Sequence, residues 1–213
     1  YGGADNDIGN AIVTDKDENV YFGGETGSPS GISTPGSFKV AVSPGDGFIS
    51  KFNKKGVRLW ATYYGGISGD RIQSLALDLN GNIYAGGITS SPNGISSGGF
   101  QNTQTISGGS DVFLAKFNSS GARIWATYYG GTGLEGNCSV ATDQLNNVYL
   151  GGYTESTAGI SFNGFQNSYG GGGSDGFLVK FSPSGSRLWA TYYGASDFEA
   201  ERRRFARWRD AVN

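Results

Sequence analysis

Apolar and polar side chains alternate along several short segments of this chain. Residues 123–129 read Arg-Ile-Trp-Ala-Thr-Tyr-Tyr, which sets Arg123, Trp125, Thr127 and Tyr129 against Ile124, Ala126 and Tyr128. A two-residue period is typical of a β-strand, in which neighbouring side chains point to opposite faces. Upstream, Phe113, Ala115 and Phe117 occupy alternate positions and give a second strand one apolar face. The pattern predicts a protein built from short strands.

The same pattern recurs at a nearly fixed spacing. The string Trp-Ala-Thr-Tyr-Tyr-Gly begins at Trp60, Trp125 and Trp189, with spacings of 65 and 64 residues. An Asp-x-Phe-x-x-Lys-Phe segment precedes each copy, and an Asn-(Val/Ile)-Tyr string with a Gly-Gly pair lies further upstream. Matches of this number at one spacing exclude chance and predict a tandem structural repeat.

Each repeat is predicted to form four antiparallel strands. In the second repeat they span about 72–78, 82–89, 111–118 and 122–129. Short turns rich in Gly, Asn and Ser join the first strand to the second and the third to the fourth, as in hairpins. Tandem four-stranded units with aromatic residues in phase are typical of β-propeller blades. The predicted fold class is therefore all-β, a β-propeller of four-stranded antiparallel blades, with a β-solenoid as the structural alternative.

The phase of the repeat predicts three blades, at about residues 1–63, 64–128 and 129–194. Propellers typically close with roughly four to eight blades, and three blades alone would expose apolar blade faces. Two interpretations follow. A homodimer could close a six-bladed ring with two-fold symmetry, or the chain could be a fragment of a longer array. The absence of a signal peptide and of an initiator Met also predicts a processed product or an excised fragment.

Residues 195–213 depart from the repeat and predict a short C-terminal helix. Ser196 and Glu199 have the spacing of a capping box. Four apolar residues fall on one face of this predicted helix: Phe198, Phe205, Trp208 and Val212. A helix that covers a blade face or joins a partner, an engineered scar and a basic surface helix remain alternatives for this tail.

Composition narrows the possible chemistry. The 213 residues include no His, which excludes a Ser-His-Asp triad and a His-ligated zinc site. A single cysteine, Cys138, excludes an intrachain disulfide and a multi-Cys metal site. With 16 basic and 18 acidic residues, the net charge of −2 predicts no nucleic-acid partner. No apolar run approaches the roughly 18 residues of a membrane span, and neither a cofactor nor a metal is predicted.

Three motifs resemble the bacterial SBBP-type β-propeller repeat over about residues 1–194. They are Trp-Ala-Thr-Tyr-Tyr-Gly-Gly, Asp-x-x-x-Asn-(Val/Ile)-Tyr-x-Gly-Gly and Gly-Gly-x-Ser-Asp-x-Phe-Leu-x-Lys-Phe. The resemblance implies tandem blades in large exported or surface-displayed bacterial proteins, often beside adhesion modules. It implies no assigned catalytic activity. A secreted or cell-surface location is therefore expected.

Six residues in phase with the repeat are candidates for ligand binding. An acid lies six residues after each repeat-opening Tyr and is expected where the chain enters the innermost strand: Asp7, Asp70 and Glu135. A carboxylate-lined channel mouth could bind a cation or a hydroxyl-rich ligand. Alternatively, each carboxylate accepts hydrogen bonds from turn amides of its own loop. The long loops of the same face add three aromatic residues: Phe38, Phe100 and Phe165.

Two further repeated features have structural interpretations. Asp15 begins a turn that mimics the first five positions of a calcium loop but lacks its later ligands, and the counterparts at Asp78 and Asp143 lose the charge density. An Asx-type hairpin turn explains all three. A blade-to-blade ion pair is predicted for the repeated basic and acidic residues of the third and fourth strands. These residues are Lys51, Lys116 and Lys180, Arg58, Arg123 and Arg187, and Asp46, Asp111 and Asp175.

The favoured functional hypothesis is a non-enzymatic binding or scaffold module with a glycan or protein partner. An alternative is a carboxylate-dependent enzyme acting on polysaccharide, because glycoside cleavage needs two acids and no histidine. An engineered or truncated propeller fragment is a third possibility. An active site normally breaks repeat symmetry with unique acids, whereas the acids of this chain mostly repeat, which favours the first hypothesis.

Overall fold

The computed structural model describes residues 2–43, 45–105 and 109–196, which form three four-stranded antiparallel sheets. In each sheet the four strands follow one another in sequence order from edge to edge. The strands are β1 Asp7–Thr14, β2 Val20–Thr26, β3 Asp46–Phe52, β4 Arg58–Tyr64, β5 Asp70–Leu77, β6 Ile83–Thr89, β7 Asp111–Phe117, β8 Arg123–Tyr129, β9 Glu135–Thr142, β10 Val148–Thr154, β11 Asp175–Phe181 and β12 Arg187–Tyr193. The prediction of an all-β protein with three four-stranded antiparallel blades is confirmed.

The predicted C-terminal helix falls almost entirely outside the described residues, which end at Ser196. All the regular elements within the three described ranges are strands, and none is a helix. Accordingly, the described chain contains no helix that is long and apolar enough to cross a membrane.

The sheets pack face to face in sequence order, as blades do. Strand β5 packs against β1, β2 and β3 of the first sheet, and β9 packs against β5, β6 and β7 of the second. The core between the first two sheets is almost solvent-free, with Tyr64, Ile72 and Phe113 all 0% exposed. The first strands of the second and third sheets therefore lie against the preceding sheet, and β1, β5 and β9 are consecutive neighbours.

The repeated tryptophans join neighbouring blades. Trp60 donates its indole N–H to the carbonyl of Ser119 in the next sheet at 3.0 Å. Trp125 makes the same bond with the carbonyl of Pro183, also at 3.0 Å. Since an indole N–H seeks an acceptor when the ring is removed from water, Trp60 and Trp125 each fix the hairpin turn of the following blade.

A bulge in each first strand provides a second link between blades. The register of β1 shifts between Gly9 and Ala11, so that Asn10 is the extra residue, and its Nδ2 donates to the carbonyl of Ile72 at 3.1 Å. The equivalent Gln73 accepts a bond from the amide of Cys138 through Oε1, at 3.1 Å. Bulges leave one residue outside the ladder, and here that residue bonds to the next first strand.

The predicted blade-to-blade ion pair of the repeated lysines is wrong. Each lysine instead pairs within its own sheet with the aspartate of the first turn: Lys51 with Asp15 at 3.7 Å, Lys116 with Asp78 at 3.5 Å, and Lys180 with Asp143 at 3.1 Å. The lysines stand near the end of the third strand and the predicted acids at its start. At about 3.3 Å per residue, this separation is too long for a salt bridge.

The repeated aspartates of the first turns adopt the Asx geometry. Asp78 Oδ1 accepts the amides of Asn80 at 3.0 Å and Asn82 at 2.9 Å. Asp15 and Asp143 accept the equivalent pairs of amides. The hydrogen bonds confirm the turn interpretation of these three residues.

Candidate functional site

The three acids at the starts of β1, β5 and β9 accept hydrogen bonds from equivalent residues, each within its own blade. Glu135 accepts the amide of Gly131 at 3.2 Å and the hydroxyls of Thr154 and Ser156 at 2.5 Å each. Asp7 has the matching glycine, threonine and serine as donors. Asp70 Oδ2 accepts bonds from the matching glycine and serine, whereas its Oδ1 is buried without a hydrogen-bond partner. Each carboxylate thus ties the Tyr-Gly-Gly turn of its blade to the end of the second strand.

These acids differ in burial, and their pKa values differ accordingly. Asp70 and Glu135 are 2% and 0% exposed, whereas Asp7 is half-buried. Burial raises the pKa of Glu135 to about 7, although the Ser156 and Thr154 hydroxyls oppose the shift. Burial also tends to raise the pKa of Asp7, but the bonds from Thr26, Gly3 and Ser28 prevail and lower it overall. A ligand that touches Asp70 or Glu135 must therefore reach the interior between two sheets.

A second set of acids has members close to Asp70 and Glu135. The sequence pattern predicts that these acids form ion pairs and does not place them beside other acids. Asp46, Asp111 and Asp175 begin the third strands and are at most 1% exposed. In each of them Oδ1 is buried and has no hydrogen-bond partner. Repetition in every blade was the available signal, but the partner acid belongs to the next blade and could not be located from the sequence.

The two sets of acids meet at the boundary between sheets. A Cβ atom placed on Gly130 would lie 2.6 Å from Asp111 Oδ1 of the second sheet and 2.5 Å from Glu135 Oε2 of the third. Asp46 and Asp70 converge in the same way on Gly65, at the boundary between the first and second sheets. We call each such pair a junction carboxylate pair: Asp46 with Asp70, and Asp111 with Glu135.

Charge repulsion within a junction carboxylate pair adds to the effect of burial. Desolvation raises the pKa of Asp111 to about 6 against the opposing bond from the Thr105 amide. Burial is also the main cause of the raised pKa of Glu135, and the negative charge of Asp111 raises it further. Within the described ranges, no group of three or more His, Cys, Asp or Glu side chains is placed to hold a metal ion. Carboxylate chemistry at the junctions therefore involves two acids at a time.

The three loop phenylalanines occupy two different environments. The guanidinium of Arg123, from the following sheet, lies 4.4 Å from the Phe38 ring centroid, and that of Arg187 lies 4.2 Å from the Phe100 centroid. Phe38 and Phe100 are 39% and 41% exposed, whereas Phe165 in the last sheet is 89% exposed. Two of the rings thus serve as contacts between blades, and their role toward a ligand stays a prediction.

Comparison with protein families matches residues 59–95 to the SBBP β-propeller repeat. The matched segment runs through β4 and the first two strands of the second sheet, and it confirms the resemblance carried by the motifs. A comparison with curated proteins gives no match.

Proposed function

We propose that this chain, which carries an SBBP β-propeller repeat, is a non-enzymatic module of an exported bacterial surface protein. Its ring is completed by a second copy of the chain, and its long loops face a glycan or protein partner. One observation carries this proposal. The two outer sheets expose the halves of contacts that are complete at both internal boundaries.

The exposed face of the first sheet carries residues equivalent to those that pack against the preceding blade in the second and third sheets. Ile12 is 69% exposed, whereas the equivalent Leu75 of the second sheet is buried against the first. A Cβ on Gly121 or Gly185 would lie 2.9 or 3.0 Å from the tryptophan ring of the preceding blade. The equivalent position on Gly56 has no atom within 4 Å among the described residues. The hairpin turn of the first sheet is thus built to receive a tryptophan.

The last sheet has the complementary form. Phe38 and Phe100 each pack on an arginine of the following blade, and Phe165 is their equivalent in the third blade. Its 89% exposure is the largest among the exposed large apolar side chains of the described residues. In a pair of chains, the last sheet of each copy would pack against the first sheet of the other. Such head-to-tail contacts give a closed six-bladed ring when the rotation from blade to blade adds up to a full turn.

The repeated acids support a scaffold rather than an enzyme. Asp7, Asp70 and Glu135 each accept the amide of the equivalent turn glycine of their own blade, so each of them fixes its own turn. A glycosidase uses two carboxylates in different roles, set by different environments. Incubation of the chain with a panel of bacterial and plant polysaccharides should release no reducing ends. Hydrolysis that is lost in Glu135→Gln would overturn the non-enzymatic proposal.

The ring is tested by mass in solution. Light scattering after size-exclusion chromatography should give a mass near twice the 22.3 kDa of one chain. Phe165→Asp places a charge in the expected interface and should give the mass of one chain. Leu79→Asp is the matched control, because Leu79 is 75% exposed on the middle sheet, and its mass should not change. A wild-type monomer at all concentrations, or a Phe165→Asp dimer, would contradict self-association.

A further inference from the structure

The two internal boundaries carry equivalent junction carboxylate pairs but differ in one neighbouring residue. The main-chain amide of Lys39 donates to Thr62 Oγ1 at 2.8 Å, and that of Gln101 donates to Thr127 Oγ1 at 2.7 Å. These bonds place Lys39 and Gln101 at the same point of successive blades. The first boundary therefore has a lysine where the second has a glutamine.

At the first boundary, the ammonium group of Lys39 is surrounded by oxygen atoms. Nζ lies 2.8 Å from Asp46 Oδ2 and donates to the carbonyls of Gly65 at 2.9 Å and Gly66 at 3.4 Å. A carboxylate together with main-chain carbonyls is the ligand set that hard cations prefer. The lysine thus marks a position that is built for positive charge.

At the second boundary, Gln101 brings no charge. Its Nε2 donates to the carbonyl of Thr103 at 3.1 Å and to Thr105 Oγ1 at 2.7 Å, and its Oε1 accepts the amide of Gly130 at 3.3 Å. Neither Asp111 nor Glu135 forms an ion pair with any basic group in the described part of the chain. Both acids are 0% exposed, and buried charge is costly unless it is paired.

One oxygen from each acid converges at this boundary, and that of Glu135 already accepts the amide of Gly131. Asp111 Oδ1 has no hydrogen-bond partner, and it points toward the same Gly130 position as Glu135 Oε2. Beside Thr105, the amide oxygen of Gln104 is also buried and without a partner. Two carboxylates, one of them with an unpartnered oxygen, therefore meet at a point where no basic side chain among the described residues neutralises them.

We propose that a calcium ion binds between Asp111 and Glu135, where it replaces the charge that Lys39 supplies at the first boundary. Two carboxylates balance one divalent ion, and carbonyl oxygens of the Tyr-Gly-Gly turn can complete its shell. Calcium accepts such irregular oxygen sets, whereas magnesium demands near-ideal octahedral geometry and retains several waters. The ion would link β7 to β9 within one chain, so the proposal does not depend on ring closure.

Reciprocal substitutions test this site in the full chain. After treatment with a chelator, the number of Ca²⁺ ions bound per chain is measured by calorimetric titration with CaCl₂ at constant ionic strength. Gln101→Lys brings the ammonium to the second boundary and should remove one bound Ca²⁺ per chain. Lys39→Gln removes the ammonium group from the first boundary and should add one bound Ca²⁺ per chain. Because the test compares the number of Ca²⁺ ions per chain between each variant and the wild type, any further Ca²⁺ site at the outer sheets does not affect the difference.

Asp111→Asn provides a second variant that removes a ligand charge without adding volume, and it should lose the same single ion. Circular dichroism establishes that each variant retains its strands before the titration. A wild-type chain that binds no Ca²⁺ at millimolar concentration overturns the proposal. An unchanged number of ions in both Gln101→Lys and Asp111→Asn overturns it equally.

Discussion

Burial, more than hydrogen bonding, separates the three equivalent acids at the residue scale. Asp7 and Glu135 receive the same kinds of bond from a glycine amide, a threonine and a serine. The pKa of Asp7 is nevertheless lowered, whereas the pKa of Glu135 is raised to about 7. The second sheet covers Glu135 and removes the water that would solvate its charge, while Asp7 stays half-exposed. Acids at equivalent positions of the repeat, with the same kinds of hydrogen-bond donor, therefore have different pKa values.

The raised pKa of Glu135 makes stability depend on pH when divalent cations are chelated. The pKa of this carboxyl rises from its ordinary value of 4.5 to about 7 in the folded protein, so the stabilising effect is present below about 4.5. It is lost as the pH rises toward 7, because the folded protein must then ionise a buried acid. The loss of stability from this acid should be on the order of 2–3 kcal/mol, and Glu135→Gln should reduce the pH dependence by that amount.

Urea denaturation at pH 5 and pH 7.5 in the presence of a chelator measures this difference. Asp111 is the acid that faces Glu135, and burial raises its pKa to about 6, so it titrates in the same direction. Glu155→Gln, at an exposed glutamate of the same blade, is the matched control and should keep the wild-type dependence. Equal pH dependence in Glu135→Gln and the wild type would refute the assignment.

The Gly-Gly pair of each second strand decides how closely the elements pack. A Cβ on Gly86 would overlap Val140 of the next blade's first strand. A Cβ on Gly87 would overlap the carbonyl of Arg71 and lie 2.7 Å from the Phe113 ring. One glycine thus admits the neighbouring blade and the other admits the bulged strand of its own sheet. Their repetition follows from packing, because an added side chain has no room on either face.

Substitution of Gly87 by alanine tests this packing. Gly87→Ala should destabilise the chain by about 1–3 kcal/mol, since an added methyl group must displace main-chain atoms. Chemical denaturation of the purified chain measures the change. Gly69→Ala is the control, because a Cβ there meets no atom within 4 Å and the backbone does not have positive φ. A Gly87→Ala midpoint equal to that of Gly69→Ala would show that the strands can relax.

At the scale of the whole molecule, the outer sheets carry side chains equivalent to those at the inner boundaries but have no neighbouring sheet on their outer faces among the described residues. Ile12 and Phe165 are 69% and 89% exposed, while Leu75, the equivalent of Ile12, is buried. Large exposed apolar patches normally mark an interaction surface. The proposed second copy would cover both faces at once, so folding and association would be linked.

Linked association predicts that thermal stability depends on concentration. Anything that binds only the folded state raises the apparent stability by mass action. The melting temperature of the wild-type chain should therefore rise over a hundredfold increase in protein concentration, as followed by circular dichroism. Phe165→Asp should melt at a temperature that does not change with concentration. A concentration-independent wild type would contradict the linkage.

Much of the fold could be predicted from the sequence, because repetition multiplies weak local signals. The predicted strands of the second blade end within two residues of the observed strands, and the Asp-Asn spacing correctly indicates the Asx turns. Alternation, hairpin turns and aromatic phase are local properties, and each is present three times. The predicted lysine ion pairs are wrong, since partner choice depends on which ends of neighbouring strands meet.

The sequence by itself determined the repeat, the blades and the acids at the starts of the first strands. Only the tertiary structure decided that each of Asp70 and Glu135 faces a second acid, Asp46 or Asp111, from the preceding sheet. It also decided that Lys39 forms an ion pair with Asp46 in one pair, while Gln101 leaves the other without a basic partner among the described residues. Periodicity fixes which face of a strand is buried, whereas the charge that meets a buried carboxylate depends on how separate sheets stack.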